Sequence, residues 1–145
     1  METSNYVFKH RYPVQVRMTD LDPVGHVNNG VQLSYYDMGR LNYLEIIQQK
    51  KIVWEDIDMV VVHISCDFMN SIYFHDNIFV ETKVLEIGNK SVKMIQRIVN
   101  SETNEIKSSC YSVMAGYDKM NNCSKPIPEL FKQSVSLFEN FEKKN

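Results

Sequence analysis

The chain has 145 residues, of which 43% are hydrophobic and 23% are charged, and its formal net charge is −2 at pH 7. This length and composition predict one globular domain, residues 1–145, that can fold without disulfides or metal ions. The mild acidity and the lack of a roughly 20-residue apolar run argue against nucleic-acid and membrane partners, and three cysteines without a CxxC pattern favour a reducing, cytoplasmic location.

The first two predicted elements are a strand and a long helix. Residues 8–18 alternate between apolar and polar, which is typical of a half-buried antiparallel strand, and Pro13 predicts that this strand lies at an edge or beside a bulge. A helical pattern follows over residues 31–49, with apolar side chains on most sides, which predicts a buried helix. Gly39 in its middle costs up to about 1 kcal/mol relative to alanine, which predicts close approach of a sheet or a ligand.

The remaining predicted elements are four strands and a second helix. The strands are expected at residues 60–68, 77–87, 91–99 and 105–118, and the turns between the last three indicate an antiparallel meander. A weaker amphipathic helix is expected to begin around residues 124–129 and to run to the C-terminus. This order predicts an α+β fold in which a five-stranded antiparallel sheet covers one helix. A two-fold dimer that joins two such sheets would cover an exposed edge.

The strongest chemical signal is the turn between the first strand and the long helix, residues 20–29, DLDPVGHVNN. The helix that follows offers unpaired backbone N–H groups and a partial positive charge, which can polarise a carbonyl and hold an oxyanion. A partly desolvated carboxylate nearby can activate water or attack the carbonyl itself. Asp, Asn and Gly are also the residues of an ordinary helix cap, so the spacing alone leaves both interpretations open.

Residues 17–29, RMTDLDPVGHVNN, followed by Tyr35, Arg40 and Tyr43, resemble the hot-dog-fold thioesterases, in particular the 4-hydroxybenzoyl-CoA thioesterase and bacterial acyl-CoA thioesterase branch. The family pattern is a D-x-D-x-x-G-H-V-N-N turn that enters a central helix. Weaker likeness in residues 66–68, 85–91 and 125–128 extends the resemblance over nearly the whole chain. It implies a hot-dog fold, with a five-stranded antiparallel sheet wrapped around one long central helix and a short C-terminal helix.

The same resemblance implies a thioester hydrolase that acts on an acyl thioester of coenzyme A or acyl carrier protein, without cofactor or metal. Asp22 matches the family's catalytic carboxylate, as nucleophile or as general base on water. The backbone N–H of Asn29 falls where the family's helix N-terminus polarises the thioester carbonyl. His26 matches a histidine that is catalytic in the related plant acyl-ACP thioesterases, but Val24 stands where those enzymes carry Asn. We therefore expect His26 either to assist catalysis or to be a structural histidine that bonds a backbone carbonyl.

Further residues of the turn and helix are expected to line the substrate site, namely Gly25, Val27, Asn28, Gln32 and Asp37. Gln32 stands where the family usually has Tyr, and Asp37 where it usually has Glu. In another branch of the fold an acidic residue on the central helix is itself the catalytic group, so the resemblance leaves a direct role for Asp37 open. We interpret Asp37 as structural or site-lining, because an ion pair with Arg40 three residues later is within reach. The resemblance also implies a homodimer, or a homotetramer that is a dimer of dimers.

Two other functions fit part of the pattern. A hot-dog hydratase or dehydratase pairs a histidine with an acidic residue, and His26 with Asp37 is the only candidate pair. A non-catalytic acyl-thioester binding protein would keep the fold without turnover, although the retained Asp22 and Gly25 argue against it. Cys66 and Cys110 lie in predicted strands without the signature of a nucleophile, and the histidines and cysteines show no zinc-ligand spacing.

Overall fold

One antiparallel sheet curls around a long helix in the computed structural model, which describes residues 1–141. The elements in chain order are β1 (His10–Val14), α1 (Asn29–Gln48), β2 (Met59–Phe68), β3 (Ile78–Ile87), β4 (Ser91–Asn100), β5 (Ile106–Asp118), β6 (Cys123–Ser124) and α2 (Glu129–Glu139). The sheet order is β1-β3-β4-β5-β2, with the two-residue β6 paired to β5. The predicted α+β hot-dog architecture is therefore confirmed, with β6 as an addition to the five expected strands.

The largest differences from the predicted boundaries lie at the two ends of the chain. β1 covers five residues of the predicted 8–18. Its pairing with β3 ends at Val14, which lies opposite Ile78, the first residue of β3. The chain then turns at residues 18–20, where Asp20 Oδ2 accepts the N–H of Arg17 at 2.9 Å. α2 ends at Glu139, where Asn140 adopts a left-handed φ of 55°. Residues 142–145 of the predicted C-terminal helix lie outside the described residues.

Two sequence signals of tertiary contact are confirmed. Pro13 lies in β1, which is an edge strand because, within residues 1–141, it pairs with β3 alone. At Gly39, a Cβ atom would lie 2.5 Å from Cγ1 of Val80 in β3 and 3.3 Å from Nε2 of Gln96 in β4. The missing side chain at Gly39 therefore allows α1 to pack directly on the sheet.

α1 buries one face rather than most of its surface. Its buried residues recur at spacings of three and four and are Gln32, Tyr35, Tyr36, Gly39, Arg40, Tyr43, Leu44 and Ile47. Met38 and Ile46, on other sides of the helix, are each 46% exposed. The prediction of a helix buried on most sides is therefore only partly correct, since the sheet of this chain covers a single face.

A row of polar side chains, here called the polar row, crosses the helix-facing side of the sheet. Its members lie opposite one another on successive strands and are His10, Thr82, Gln96, Cys110 and Cys66. α1 supplies partners: Asn42 Oδ1 lies 2.8 Å from His10 Nε2, and Arg40 Nη2 donates to Gln96 Oε1 at 3.1 Å. Because buried polar groups must find partners, these bonds help to fix the position of α1 on the sheet.

His10 is expected to make stability depend on pH. Burial lowers the pKa of His10 below its ordinary value of 6.5, although the bond to Asn42 and the nearby Glu139 carboxylate act in the opposite direction. Between the lowered native pKa and 6.5, the unfolded chain binds more protons than the folded chain, so stability falls as pH decreases. His10→Gln can still donate to Asn42 but does not titrate. We expect urea denaturation to show a larger loss of unfolding free energy for the wild type than for His10→Gln between neutral and mildly acidic pH. Equal losses for the two proteins would contradict this role of His10.

Candidate active site

Backbone hydrogen bonds close the turn between β1 and α1. The N–H of Asp22 donates to the carbonyl of His26 at 2.8 Å, and the N–H of Gly25 donates to the carbonyl of Asp22 at 3.0 Å. Leu21 and Val27 pair as an isolated antiparallel bridge across the base of the turn. Gly25 has a φ of 82°, in the left-handed region that favours glycine. The turn is therefore a closed loop that holds Asp22 in a defined place.

The Asp22 carboxylate engages the turn through one of its oxygens. Oδ1 accepts the backbone N–H of Val24 at 3.1 Å and that of His26 at 3.4 Å. Within residues 1–141, no hydrogen bond reaches the other oxygen, Oδ2, and the residue is half-buried. One oxygen thus orients the carboxylate, and the other is available to a water molecule or to a carbonyl carbon.

The N-terminus of α1 directly follows this turn. Asn28 is the N-cap, with Oδ1 accepting the N–H of Gly30 at 2.7 Å and the backbone carbonyl accepting the N–H of Gln32 at 3.1 Å. The N–H of Asn29, the first helical residue, finds no acceptor in the described part of the chain. It is one of the donors that a helix leaves unpaired, and the helix dipole adds partial positive charge there. The geometry therefore offers Asn29 N–H as a donor to a carbonyl oxygen or oxyanion.

The Asp20 carboxylate is occupied by hydrogen bonds within the fold. Its Oδ2 accepts the hydroxyl of Tyr35 at 2.5 Å and the backbone N–H of Arg17 at 2.9 Å. Burial, together with the bond to the Asp20 carboxylate, raises the pKa of Tyr35, so its phenol remains a neutral donor. The carbonyl of Asp20 accepts the N–H of Asn28 at 2.9 Å. Asp20 therefore ties the turn to α1.

His26 lies half-buried between the turn and the loop at residues 69–77. Its Nδ1 is 3.2 Å from Ser71 Oγ, and its ring packs edge-on against Tyr73 with ring centroids 5.1 Å apart. Val27 donates its N–H to the carbonyl of Ile72 at 2.9 Å, so the loop forms a second wall beside the turn. Sequence reasoning did not connect Ser71 or Tyr73 with His26, and the expected structural partner, a backbone carbonyl, is replaced by the Ser71 hydroxyl.

The structure separates the predicted substrate-lining residues into two groups. Gly25, Val27 and Asn28 lie in the turn, although the side chain of Val27 is 3% exposed and faces the core. Gln32 is 2% exposed, and its Oε1 accepts the Ser108 hydroxyl at 2.8 Å in the interior. The Gln32 side chain therefore lies away from the surface of the turn, because Ser108 satisfies its amide oxygen inside the core.

Asp37 also lies away from the turn. Its carboxylate is exposed and pairs with Nη1 of Arg40 at 2.7 Å, which confirms the expected ion pair. At 1.5 Å per residue, Asp37 is about 12 Å along α1 from Asn29. Within one chain, α1 therefore holds Asp37 away from the turn that contains His26, its partner in the hydratase alternative.

Two cavities in the described residues lie away from the turn. A cavity of about 490 Å³ is found at the C-terminal end of α1, lined in part by Leu44, Ile47 and Phe131. A wider depression of about 880 Å³ runs along β1 and residues 74–79. No residue of the turn lines either one. We nevertheless place the candidate site at the turn, because it combines a carboxylate with a helix N-terminus on an open surface.

Metal-binding clusters and membrane-spanning helices are not found among residues 1–141. No group of three or more His, Cys, Asp or Glu side chains in that range could hold a metal ion. No helix there is both long enough and apolar enough to cross a bilayer.

The sequence matches the family model of the thioesterase-like superfamily over residues 16–135. This range begins before the turn, contains α1 and strands β2 to β5 whole, and ends within α2. No functionally curated protein matches the chain significantly.

The fold is similar to those of several solved thioesterases. A thioesterase from Thermus thermophilus, solved with coenzyme A and Zn, is 29% identical with a TM-score of 0.82, over 93% of this chain and 97% of that chain. A predicted thioesterase from Bacillus stearothermophilus is 20% identical with a TM-score of 0.81, over 88% and 94% of the two chains. A 1,4-dihydroxy-2-naphthoyl-CoA thioesterase from Synechocystis is 17% identical with a TM-score of 0.77, over 87% and 94%. At the lower two identities, the similarity establishes the fold alone.

Proposed function

The chain belongs to the thioesterase-like superfamily, and we propose that it hydrolyses an acyl thioester of coenzyme A or acyl carrier protein at the turn between β1 and α1. One observation carries this proposal: a single ten-residue turn joins the Asp22 carboxylate, with one oxygen available, to the unpaired Asn29 N–H. Family membership supports the reaction class. The coenzyme A bound to the Thermus thermophilus thioesterase supports a coenzyme A leaving group.

The Asn29 N–H is assigned to the thioester carbonyl oxygen. As the carbonyl carbon becomes tetrahedral, negative charge builds on this oxygen, and the N–H and the dipole of α1 stabilise that charge. The Asn28 side chain already caps Gly30, which leaves the neighbouring Asn29 donor for the substrate. The donor is fixed in the helix before the substrate arrives, so the bond forms without rearrangement of the backbone.

Asp22 is assigned as the general base or the nucleophile. As a base, its Oδ2 takes a proton from water while the water oxygen attacks the carbonyl carbon, and the tetrahedral intermediate then expels the thiolate. As a nucleophile, Oδ2 attacks the carbonyl carbon itself, the thiolate leaves, and water hydrolyses the resulting anhydride. Both routes consume one water molecule: its oxygen ends in the carboxylic acid, and one of its protons, passed on by Asp22 in the base route, ends on the thiolate to give a thiol. Because a thiolate is a good leaving group, neither route needs a strong acid.

His26 is assigned a positioning role beside Asp22. The contacts of its ring with Ser71 and Tyr73 fix it between the turn and the neighbouring loop. Its backbone also donates to Asp22 Oδ1 and accepts from the Asp22 N–H. These bonds support a role for His26 in holding the Asp22 turn against the loop.

A second copy of the chain is expected to complete the site. β2 pairs with β5 alone in the described residues, so its outer edge presents unpaired backbone groups. The side chains of Val60, Val61, Val62 and Ile64 on this strand are 36% to 60% exposed. Pairing β2 with the same strand of a second protomer would cover the edge and these side chains. The open surface at the turn would then become a cleft in a homodimer, or in a tetramer built from two dimers.

A panel of acyl-CoA thioesters that varies acyl length and aromaticity tests the proposed reaction. We expect the purified protein to release free thiol from at least one member, as measured with a thiol-reactive chromophore. Calorimetric binding of acyl-CoA without thiol release from any member would instead indicate a binding protein. Hydration of an enoyl-CoA without thiol release would indicate a hydratase. Either of these outcomes would contradict the proposed hydrolysis.

A further inference from the structure

Cys66 and Cys110 lie directly opposite each other on the antiparallel strands β2 and β5. Opposed residues of such a pair point to the same face of the sheet, and these two form one end of the polar row that faces α1. Both are free thiols, and Cys66 packs against the core cluster that contains Cys110. Cys110 is fully buried, whereas Cys66 is partly exposed on the edge strand.

The spacing of opposed strand residues suits a disulfide that carries some strain. Opposed Cα atoms in antiparallel strands are about 4.5–5.5 Å apart, within the range of about 4.4–6.8 Å found for disulfides. Opposed Cβ atoms are about 4.5–5.5 Å apart, whereas disulfides need about 3.5–4.5 Å. Closing the bond therefore requires the strands to approach by about 1 Å. Within residues 1–141 of a single protomer, β2 pairs with β5 alone, so it can make this shift before a second protomer pairs with its outer edge, and the strained bond would be easily reduced.

The two thiols differ in a way that sets the order of reaction. In a single protomer, Cys66 is partly exposed to solvent. Burial, and then the adjacent Cys66 thiol, raises the pKa of Cys110, which keeps this thiol protonated. Cys66 is therefore the thiol that meets an oxidant first, and Cys110 is the thiol that can resolve its oxidised form.

We propose that Cys66 and Cys110 form a reversible oxidation site that closes to a cross-strand disulfide when the oxidant is a peroxide. The Cys66 sulfur attacks one oxygen of hydrogen peroxide, the O–O bond breaks, and one water leaves, so that Cys66 becomes a sulfenic acid. The Cys110 sulfur then attacks the Cys66 sulfur. Its proton departs with the sulfenic hydroxyl as a second water, and the S–S bond forms. Two thiols thus lose two electrons and two protons to one peroxide, and a dithiol reductant reverses the reaction.

The bond would connect the redox state of the protein to two functional regions. Cys110 belongs to a core cluster that also contains Val27 of the turn and Tyr35 of α1, and Cys66 packs against this cluster. The disulfide would also fasten β2, the strand whose outer edge is proposed to pair with a second protomer. The oxidation site itself does not depend on the proposed hydrolysis, and its test uses no substrate.

Peroxide treatment of Cys123→Ser tests the proposal. Cys123 is exposed and would otherwise add disulfides between molecules. We expect both remaining thiols to be lost together. Peptide mapping should find Cys66 joined to Cys110 within one chain, and dithiothreitol should restore both thiols. In the matched control, Cys66→Ser combined with Cys123→Ser, we expect Cys110 to remain a thiol under the same treatment.

Three results would overturn the proposal. One is conversion of Cys66 to a sulfinic or sulfonic acid while Cys110 remains a thiol. Another is oxidation of Cys110 at an undiminished rate in the control that lacks Cys66. The third is retention of both thiols in peroxide when the same treatment oxidises the unfolded chain. If the control folds poorly, peptide mapping of Cys123→Ser still decides the question, because this variant keeps both Cys66 and Cys110. Circular dichroism verifies the fold of each variant.

Discussion

Replacing Asp22 with asparagine is expected to lower kcat for thioester hydrolysis on the order of 10³-fold while the fold remains intact. The asparagine Oδ1 can accept the same backbone N–H groups, from Val24 and His26, that Asp22 Oδ1 accepts. The turn should therefore keep its shape. The amide nitrogen that replaces Oδ2 can neither take a proton from water nor attack a carbonyl carbon. Thiol release at saturating substrate measures the loss of activity, and circular dichroism measures the fold.

Asp37→Asn is the matched control for Asp22→Asn, because it changes another carboxylate on the same turn-and-helix unit. Asp37 is exposed and paired with Arg40, and an asparagine oxygen can still accept from that guanidinium. We expect Asp37→Asn to keep kcat within about a few-fold of the wild type. Undiminished hydrolysis by Asp22→Asn, or an equal loss in Asp37→Asn, would contradict the assignment of Asp22.

Asn29→Pro is expected to lower kcat by about 10²- to 10³-fold, because it removes the N–H that is assigned to the oxyanion. Proline is favoured at the first position of a helix, where the N–H has no intrahelical partner. The residue before a proline must be extended, and Asn28 already has a φ of −59° and a ψ of 138°. The substitution therefore deletes one donor with little change to the backbone.

Asn29→Ala separates the backbone donor from the side chain. This variant keeps the N–H and loses only the amide group, so we expect its kcat to stay within about a few-fold of the wild type. Thiol release and thermal melting of both variants give the comparison. If Asn29→Pro hydrolysed the thioester at the wild-type rate, the oxyanion assignment would be wrong. Equal losses in both variants would assign the effect to the Asn29 side chain.

The fold could be predicted from the sequence because most elements carry strong local patterns. Alternation in residues 77–87 and the helical pattern in residues 31–49 each specify one kind of element. Two single residues also predicted tertiary features. Pro13 has no N–H to donate, which is tolerated best in an edge strand. Gly39 has no Cβ, which allows the close approach of α1 to the sheet. β6 could not be predicted in this way, since two residues paired with Tyr117 and Asp118 leave no periodicity.

The part of the candidate site that is contiguous in the sequence could be predicted, whereas the contacts between distant segments could not. The turn at residues 20–29 contains Asp22 and leads directly into the N-terminus of α1, so one motif holds both groups. His26 and Ser71 are 45 positions apart, and no local pattern connects them. A glutamine near the start of a helix is expected at the surface, but the Gln32 side chain is buried and accepts a hydrogen bond from Ser108. Cys66 and Cys110 meet only because the sheet order places β2 beside β5.

A single-turnover reaction of Asp22→Asn with an acyl-CoA that the wild type cleaves tests the central claim most directly, because it separates binding from bond cleavage. The protein is in excess over the thioester, and acid quenching followed by chromatography measures how much thioester remains. We predict that the wild type converts the bound thioester to free acid and coenzyme A, whereas Asp22→Asn binds it and returns it intact over the same interval. Cleavage by Asp22→Asn at the wild-type rate would contradict the proposal that hydrolysis occurs at the Asp22 turn.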